Sequence, residues 1–571
     1  MRFSFSSAWS IAALLAAFTL IATWPLALRL ADSLPGDYGD PVFVTWAIGW
    51  VSATLTDSLT QPASLARLWD ANIFFPERQT LAFSEHFIGQ SLLALPFFWA
   101  SGNPLVAYNV AFLASFFLTG LGTFLLTRLL TGSAIGALIA AVIATFNEYR
   151  LVWELSHLHV LSIQWLPFAL YALHRYFETD ARRYLLAAAA ALIALNLSSI
   201  YYMLYCAPLI MLFVAFELAV KGRWRTPRPW LELWATAAFV VVVTLPAMLP
   251  YLEVQQRLGI ERSTAEVVRY SATLDQYGQA LAGLVPALVL AIFGLAGAII
   301  GGRRGLRWVA LLSFVLAALS FWLSLGPVIQ FRGEPLSAPS LYPWLDQLPG
   351  YDGLRVPARF ASIFLLFLGV LGSLGVAVLE DRWPTMARIA VVPVAVALVI
   401  WSKPYLLPYN QPIPSEGLTV PAAYLSPSKS APPIYQAVSS LTTGAILVEF
   451  PFGDPGYDLR YMYFAATHRR RLLNGYSGVF PPAFVERQRV LAQPTLDPQA
   501  AARAIRLATH AVVHRTAWKD NSGMVIGAWL ETLGAQVIAE YYGAVLYALP
   551  LREDLAEKAK GTGNRAQGTT P

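Results

Sequence analysis

The feature that most constrains this chain is a series of apolar runs, each about 20 residues long, that recur along roughly its first 400 positions. A helix of that length crosses a hydrocarbon core of about 30 Å. Charged residues make up only 13% of the chain, about half of the roughly 25% usual in soluble domains. The pattern predicts an α-helical polytopic membrane protein and excludes a soluble globular enzyme.

Eleven of these runs are predicted to cross the membrane, with Met1 in the cytoplasm and the first run kept as an anchor rather than cleaved as a signal peptide. They are 8–30, 104–127, 133–147, 160–177, 184–198, 200–220, 231–250, 278–300, 306–325, 358–379 and 387–403. This count places the basic clusters between runs on one side, which the positive-inside rule makes cytoplasmic. The formal charge of +6 therefore reflects topology and argues against a nucleic-acid partner. The C-terminal region is predicted to lie on the outer side of the membrane.

The predicted domains follow from this topology. They are a membrane module at 1–403 with a long first outer loop at 31–103, a Pro- and Ser-rich linker at 404–433, a periplasmic α/β domain at 434–551 and a disordered tail at 552–571. Within the first outer loop, two apolar stretches, Pro41–Leu55 and Phe87–Ala100, are predicted to lie in the membrane interface. The alternative is that both cross as a pair, which preserves the downstream topology.

The α/β prediction for the C-terminal domain rests on short apolar segments that look like strands, namely AILVEF, HAVVH, AQVIAEYY and AVLYALP. Between them, Pro482–Ala492 and Pro498–Thr509 have helical patterns. The charged residues of this domain either line a substrate-facing surface or form a solvated face with turns. They are Glu449, Asp454, Asp458, Arg460, His468 and Arg469 to Arg471.

The first outer loop holds acidic residues beside the membrane, among them Asp37, Asp40 and Glu85. Asp40 precedes Pro41 and an apolar helix, which is the usual pattern of an N-cap residue followed by proline at the first helical position. A carboxylate held at such a helix start is also well placed to act as a general base. The two interpretations are compatible.

The short link between the third and fourth crossings concentrates five ionisable residues, Glu148, Arg150, Glu154, His157 and His159. Because ionisable groups near a membrane are costly, the concentration suggests a polar cavity, and the alternative is solvation by lipid headgroups. A metal site would use the two histidines with either glutamate. We predict no metal, because a His-x-His spacing on a helix points the rings to different faces.

The segment LPGYDGLRVPARF directly precedes the tenth crossing. Arg355 and Arg359 lie four positions apart, with Pro357 between them, which places both on one face at the start of a helix. Two arginines at the positive end of a helix dipole favour a phosphate site. The alternative, a cytoplasmic basic flank, disagrees with the predicted topology, which puts both arginines outside.

Several motifs are absent from the sequence. It has no Walker-type loop, no Rossmann fingerprint, no zincin pair and no Gly-x-Ser-x-Gly elbow. An ATP-driven pump with its own motor is therefore excluded.

The layout of residues 8 to 400 resembles the GT-C superfamily of integral-membrane glycosyltransferases, which includes protein O-mannosyltransferases and aminoarabinose transferases. The resemblance is carried by a first crossing, a long acidic outer loop, a crossing that ends in LLTRLLTGS, and the segments GDPVFVTW, FFPERQTLAFSEH, YRLVWELSHLH and GLRVPARF. It implies a polyprenyl-phosphate sugar as donor and maps the catalytic aspartate of the superfamily onto Asp40, with Asp37 as the competing candidate. The adjacent Asp-Glu pair of the O-mannosyltransferases and the Trp-Trp-Asp motif of oligosaccharyltransferases are missing.

The resulting hypothesis is the transfer of one sugar to a periplasmic glycan, lipid or protein hydroxyl. Asp40 would act as general base, and Arg355 and Arg359 would hold the leaving phosphate. The sugar and acceptor pocket would be formed by Glu85, His86, Glu148, Arg150, His157 and His159. The alternatives are a transporter or flippase of lipid-linked glycans and a non-catalytic assembly factor.

Overall fold

The computed structural model describes residues 8–260, 262–300, 304–348, 350–401, 406–419 and 431–550. Its helices in chain order are α1 (Ala8–Ala22), α2 (Asp40–Ser58), α3 (Ile88–Ser101), α4 (Pro104–Thr131), α5 (Ala134–Thr145), α6 (Leu158–Leu161), α7 (Trp165–Thr179), α8 (Arg183–Ser198), α9 (Ile200–Val220), α10 (Pro227–Leu258), α11 (Thr264–Arg269), α12 (Leu274–Ile300), α13 (Arg304–Ser324), α14 (Tyr342–Asp346), α15 (Ala361–Arg382), α16 (Pro384–Trp401), α17 (Pro433–Ser440), α18 (Pro455–His468), α19 (Pro482–Leu491), α20 (Pro498–Ile505) and α21 (Ser522–Thr532). The strands are β1 (Gln330–Phe331), β2 (Glu334–Pro335), β3 (Ile446–Phe450), β4 (Arg471–Leu472), β5 (His510–His514), β6 (Gln536–Tyr541) and β7 (Ala544–Ala548). The predicted disordered tail and residues 404–405 and 420–430 of the predicted linker lie outside the described residues.

The chain forms two compact units. Unit 1 comprises Met1–Leu28 and Ala111–Leu407, and unit 2 comprises Arg29–Val110 and Pro408–Pro571. This division differs from the boundaries expected from the sequence, because the first outer loop belongs to the same unit as the C-terminal region.

Each of the eleven segments predicted to cross the membrane contains a described helix. Six helical stretches among the described residues are long and apolar enough to span a bilayer: Pro104–Thr131, Ala134–Trp153, Ile200–Val220, Pro227–Leu258, Leu306–Ser324 and Pro357–Asp381. Shorter apolar helices accompany them. The chain is therefore a multi-pass membrane protein, while the number of eleven crossings stays a prediction.

In unit 1, α15 packs against α5, α12 and α13. Its contact with α12 is close enough to require glycine, because a Cβ at Gly375 would lie 2.3 Å from the carbonyl oxygen of Leu290. A Cβ at Gly369 would likewise lie 2.8 Å from the carbonyl oxygen of Ala140 in α5. Small residues let membrane helices approach until their backbones touch, so these glycines place α15 at the centre of unit 1.

Unit 2 contains a five-stranded mixed sheet with the strand order β4-β3-β5-β7-β6. Strand β3 pairs in parallel with β4 and β5, and β7 pairs antiparallel with β5 and β6. Strand β3 is buried along its whole length, as expected of a central strand made of the apolar run ILVEF. All four strands expected from the sequence are present, and both helical patterns between them form helices.

Helix α2 corrects one expectation. The stretch Pro41–Leu55 is expected in the membrane interface, but the side chains of Trp46 and Trp50 within it are buried inside unit 2, where α2 packs on α18. The indole of Trp46 donates to Asn72 Oδ1 at 3.1 Å, and that of Trp50 donates to the carbonyl of Leu68 at 2.8 Å. A tryptophan has a large apolar ring and one N–H donor, so it suits a domain core as well as a headgroup layer. An apolar helix that carries tryptophans can therefore belong to either.

Candidate functional site

The polar link between α5 and α7 begins at Asn147, whose side chain ends α5. Its Nδ2 donates to the carbonyls of Ile143 and Ala144 at 3.0 and 3.2 Å, and its Oδ1 accepts the backbone N–H of Arg150 at 3.1 Å. These bonds satisfy carbonyls that a terminating helix leaves open. A π-helical turn, Tyr149–Trp153, follows. Such turns are rare and occur frequently at functional sites.

Arg150 points away from any open surface. Only 2% exposed, it donates from Nη2 to the carbonyls of Leu161 at 3.0 Å and Ser115 at 3.4 Å, and its guanidinium lies 4.9 Å from the ring centre of Phe116. Arg150 thus ties the link to α4 and α6. This position differs from the pocket-lining role expected for Arg150.

Glu154, His157 and His159 form a compact group. Nδ1 of His157 lies 3.0 Å from Oε2 of Glu154, and the two imidazole rings are 5.9 Å apart. The rings do not diverge as a helical His-x-His spacing would require, because His157 precedes α6 and adopts a non-helical conformation. The assumption that both histidines lie within one helix was therefore wrong.

Electrostatics distinguish the members of this group. Burial raises the pKa of Glu154, but His157 and the positive charge of Arg359 outweigh it, so the pKa lies below its usual value. Burial and the charges of Arg359, His157 and Arg355 hold the pKa of His159 well below its usual value. At neutral pH the group therefore presents a carboxylate and a neutral imidazole.

The segment before α15 carries the two predicted phosphate ligands. Val356 precedes Pro357 and is non-helical with a φ of −125°, and a 3-10 turn, Pro357–Phe360, leads into α15. The hydroxyl of Tyr205 fixes this segment by donating to the carbonyl of Val356 at 2.8 Å. Arg355 therefore lies outside the helix, and the prediction that Arg355 and Arg359 share one helical face is wrong.

The two arginines nevertheless converge on the same neighbours. Both lie close enough to His159 to lower its pKa. Arg355 lies 4.9 Å from the ring centre of Tyr270, with its Nε 3.8 Å from a carboxylate oxygen of Glu266.

Arg359 has an unusual environment. It is 8% exposed, and its guanidinium lies 5.4 Å from the ring centre of Tyr201. Its Nε is buried, and the guanidinium donates no hydrogen bond to any other residue that the structure describes. Glu154 attracts it electrostatically. A buried cation without acceptors is costly, and an anion within reach would remove that cost.

A cleft of about 250 Å³ lies beside this group in unit 1. Its walls are mainly apolar and aromatic, with charged groups among them. The lining residues include Trp153, Tyr270, Tyr277, Phe364 and Leu365, together with Glu154, Arg269 and Gln276. Ser271 also lines it, and Gly326 packs there with a φ of +68°, where a Cβ would lie 1.8 Å from Ser271 Oγ. The cleft combines an apolar wall with charge, as an amphiphilic ligand requires.

The predicted acidic residues lie in unit 2. Asp40 is the first residue of α2, and Gly39 occupies the N-cap position, so the expected capping role of Asp40 is wrong. Asp37 Oδ1 instead accepts the N–H of Gly39 at 2.8 Å. Both carboxylates are half-buried and interact electrostatically with Tyr108.

Glu85 and His86 are buried in unit 2, and Glu148 in unit 1 is half-buried at the start of the π-helical turn. Nδ1 of His86 accepts the N–H of Ile88 at 3.1 Å at the beginning of α3. Burial lowers the pKa of His86 to about 3. These contacts fit a residue that positions the start of α3.

Sequence reasoning missed the tyrosines around the arginines, Tyr201, Tyr205 and Tyr270. The signal was present, because three tyrosines within five positions interrupt the apolar run of α9. Among the residues that the structure describes, no three His, Cys, Asp or Glu side chains converge as a metal site would need.

No protein-family model and no curated protein matches the chain. The chain is similar to the crystal structure of ArnT from Cupriavidus metallidurans bound to undecaprenyl phosphate, with 13% identity and a TM-score of 0.48 over 94% of this chain and 97% of that one. The crystal structure of the same protein in the apo state has 13% sequence identity and a TM-score of 0.47, and the match covers 96% of this chain and 98% of that one. The crystal structure of the Archaeoglobus fulgidus oligosaccharyltransferase in complex with zinc and sulfate has 13% sequence identity and a TM-score of 0.45, and the match covers 95% of this chain and 74% of that one.

At 13% identity and TM-scores below 0.5, these matches say nothing about which residues of this chain act.

Proposed function

We propose that the chain is a membrane glycosyltransferase that moves a sugar from a polyprenyl-phosphate carrier to a periplasmic glycan, lipid or protein acceptor. The observation that carries the proposal is the environment of Arg359, whose Nε is buried without a hydrogen-bond acceptor among the described residues and which directly follows Ala358, a residue that lines the amphiphilic cleft. A phosphate supplies acceptors for an arginine fork, and an isoprenoid chain supplies apolar surface for the aromatic wall.

Arg355 would be the second phosphate ligand. It is about one-third exposed and is only loosely held by Glu266, so it can reorient toward an incoming anion. His159 would remain a neutral donor or acceptor beside the phosphate, and Glu154 would keep Arg359 oriented before the lipid binds. As the sugar leaves, negative charge develops on the phosphate, and fixed cations stabilise it.

For the acid-base step we propose Asp40 as general base, with Asp37 as the alternative. Asp40 is the stronger candidate because the resemblance of the sequence maps the catalytic aspartate onto it, at the first position of α2. A general base typically contributes about 10² to 10⁴ in rate. Asp40→Asn should therefore lower transfer strongly while leaving donor binding intact.

The first experiment is mass spectrometry of the lipids that co-purify with the protein, for the wild type and for Arg355→Gln/Arg359→Gln. We expect polyprenyl phosphate, free or glycosylated, in the wild type and its loss from the double variant. Arg182→Gln/Arg225→Gln removes the same charge from exposed positions of unit 1 and should retain the lipid.

Absence of any polyprenyl phosphate from the wild type, with ordinary phospholipids present, would overturn the donor assignment. Retention of the lipid in the double variant would show that other residues bind the phosphate. A bound lipid-linked sugar without transfer to any acceptor would favour a transport or assembly role.

A further inference from the structure

A second, larger cleft lies within unit 2, between the segment that follows α2 and the end of α18. Its volume is about 910 Å³, and most of its lining side chains are polar. It carries five arginines against three carboxylates. The arginines are Arg67, Arg78, Arg469, Arg470 and Arg471, and the carboxylates are those of Asp57, Asp70 and Glu77.

Several of these charges hold the walls of the cleft in place. Arg469 forms an ion pair with Asp57 and lies 5.5 Å from the ring centre of Trp50. Arg470 Nη2 donates to the carbonyls of Ser439 and Leu441 at 2.8 and 2.6 Å. These side chains already have partners and so give the cleft its shape.

Arg78 also interacts with another residue, and the two remaining arginines are Arg67 and Arg471. Arg67 is exposed and makes no side-chain hydrogen bond or ion pair with another described residue. Arg471 is also exposed, and the only contact of its guanidinium with the described part of the chain is with Phe75, 5.2 Å from the ring centre. The cleft therefore has a surplus of positive charge that its own carboxylates do not neutralise.

His468 adds a donor of a different kind. It lines the cleft, is 4% exposed, and its Nδ1 accepts the backbone N–H of Arg470 at 3.0 Å. The hydrogen of the neutral ring must then lie on Nε2, and burial keeps the ring neutral by lowering its pKa to about 3. Nε2 is buried and has no hydrogen-bond partner among the described residues. Such donors are rare in native proteins and call for an acceptor.

We propose that this cleft binds an oligosaccharide that carries phosphate or carboxylate groups. Arg67 and Arg471 would bind the anionic groups, and Nε2 of His468 would donate to a sugar hydroxyl or ring oxygen. The volume is that of a small-molecule site. The site is distinct from the donor cleft of unit 1, and the inference does not depend on the proposed transferase activity.

The lining favours a saccharide over a lipid. Its two aromatic side chains, Trp50 and Phe75, are each covered by an arginine. Acyl chains need a continuous apolar wall, which these polar walls do not offer.

The test is isothermal titration of the purified full chain in phosphatidylcholine nanodiscs with three probes: a short oligogalacturonate, a phosphorylated oligomannoside and a neutral maltooligosaccharide. We expect the anionic probes to bind and the neutral probe not to bind. Arg67→Gln/Arg471→Gln should weaken binding by about tenfold or more, because it removes both cations that would bind the anionic groups. The double variant should also make the affinity for the anionic probes less dependent on salt concentration.

The matched control, Arg489→Gln/Arg503→Gln, removes the same charge from exposed helix positions of unit 2 and should bind like the wild type. His468→Phe keeps the ring and removes the donor, so it should weaken binding several-fold without changing the salt dependence. Arg67 and Arg471 lack side-chain hydrogen bonds to described residues, so their variants should fold normally, which a thermal melt checks.

Equal weakening in the cleft variant and the control would overturn the proposal in favour of non-specific electrostatics. So would equal binding of the neutral probe, or no binding of either anionic probe by the folded wild type. If phosphatidylglycerol in the nanodisc abolished saccharide binding, the cleft would instead accept a lipid headgroup.

Discussion

Two buried arginines in unit 1 have much in common. The region around Arg150 and the region around Arg359 each bury a guanidinium almost completely, and each places it near an aromatic ring, Phe116 or Tyr201. They differ in hydrogen bonds. Arg150 donates from Nη2 to two backbone carbonyls, although its Nε and Nη1 are buried without a partner among the described residues, while the guanidinium of Arg359 donates to none of them. Neither burial nor an unpartnered nitrogen therefore separates a structural arginine from a ligand-binding one, and the difference is whether the protein supplies the guanidinium with any acceptor.

The largest expected effect contrasts the two positions directly. Arg150→Met removes two hydrogen bonds from buried carbonyls and should lower the free energy of unfolding by about 2–4 kcal/mol. Arg359→Met should change it by less than about 1 kcal/mol, because it breaks no hydrogen bond to a described residue and the lost attraction to Glu154 is offset by the desolvation cost of the buried charge. Thermal unfolding of delipidated protein in detergent measures both.

Arg150→Lys is the control for charge, and it should recover only part of the loss, since an ammonium lacks the fork geometry of the guanidinium. Similar losses of stability in Arg150→Met and Arg359→Met would contradict the distinction between a structural and a ligand-binding arginine. It would mean that Arg359 is held by the protein itself.

A medium effect should come from Gly326, which shapes the cleft beside Arg359. Gly326→Ala places a side chain at positive φ and against Ser271 Oγ, so a loss of about 1–3 kcal/mol is expected. The added Ser271→Ala change should restore part of the stability, because it removes the overlapping atom. Gly333→Ala, where φ is +81° and a Cβ would meet nothing within 4 Å, is the matched control, and a loss as large there would refute the packing explanation.

The smallest effect concerns pH. The folded state keeps the pKa of His159 well below the unfolded value of about 6.5. Its stabilising contribution is therefore complete above about pH 6.5 and is lost as the pH falls, because the unfolded chain then binds a proton that the folded chain excludes.

Denaturant unfolding at a series of pH values tests this sign. His159→Gln should flatten the decline in stability below about pH 6.5 relative to the wild type. Arg359→Met should flatten it partly, since the charge of Arg359 contributes to the lowered pKa. An unchanged slope in both variants would contradict the placement of His159 against the arginines.

Much of the fold could be predicted, because apolar periodicity and length report helices directly. Each predicted crossing contains a helix, and the short β-branched runs of the C-terminal region form the sheet of unit 2. The role of α2 could not be predicted from Trp46 and Trp50, since their partners Asn72 and Leu68 are contributed by a loop without a pattern of its own.

The site was predictable in its residue types but not in its geometry. The four-residue spacing led to Arg355 and Arg359, but the two side chains do not share a helical face, because the helical turn begins only at Pro357, after Arg355. Spacing also could not tell Arg150 from Arg359. The carbonyls that accept from Arg150 belong to Ser115 and Leu161, which are 35 and 11 positions away in the sequence. A local sequence pattern cannot predict contacts over such distances.

The side chain of Asn72 donates to the carbonyls of Ala465 and Arg470, which follow it by 393 and 398 residues. At synthesis rates of about 5–20 residues per second, its partners emerge roughly 20 to 80 s after it does. During that interval the first segment of unit 2 exists without the second, and α2 has no α18 to pack on. The order of synthesis therefore leaves the apolar surface of α2 uncovered until the last part of the chain is made.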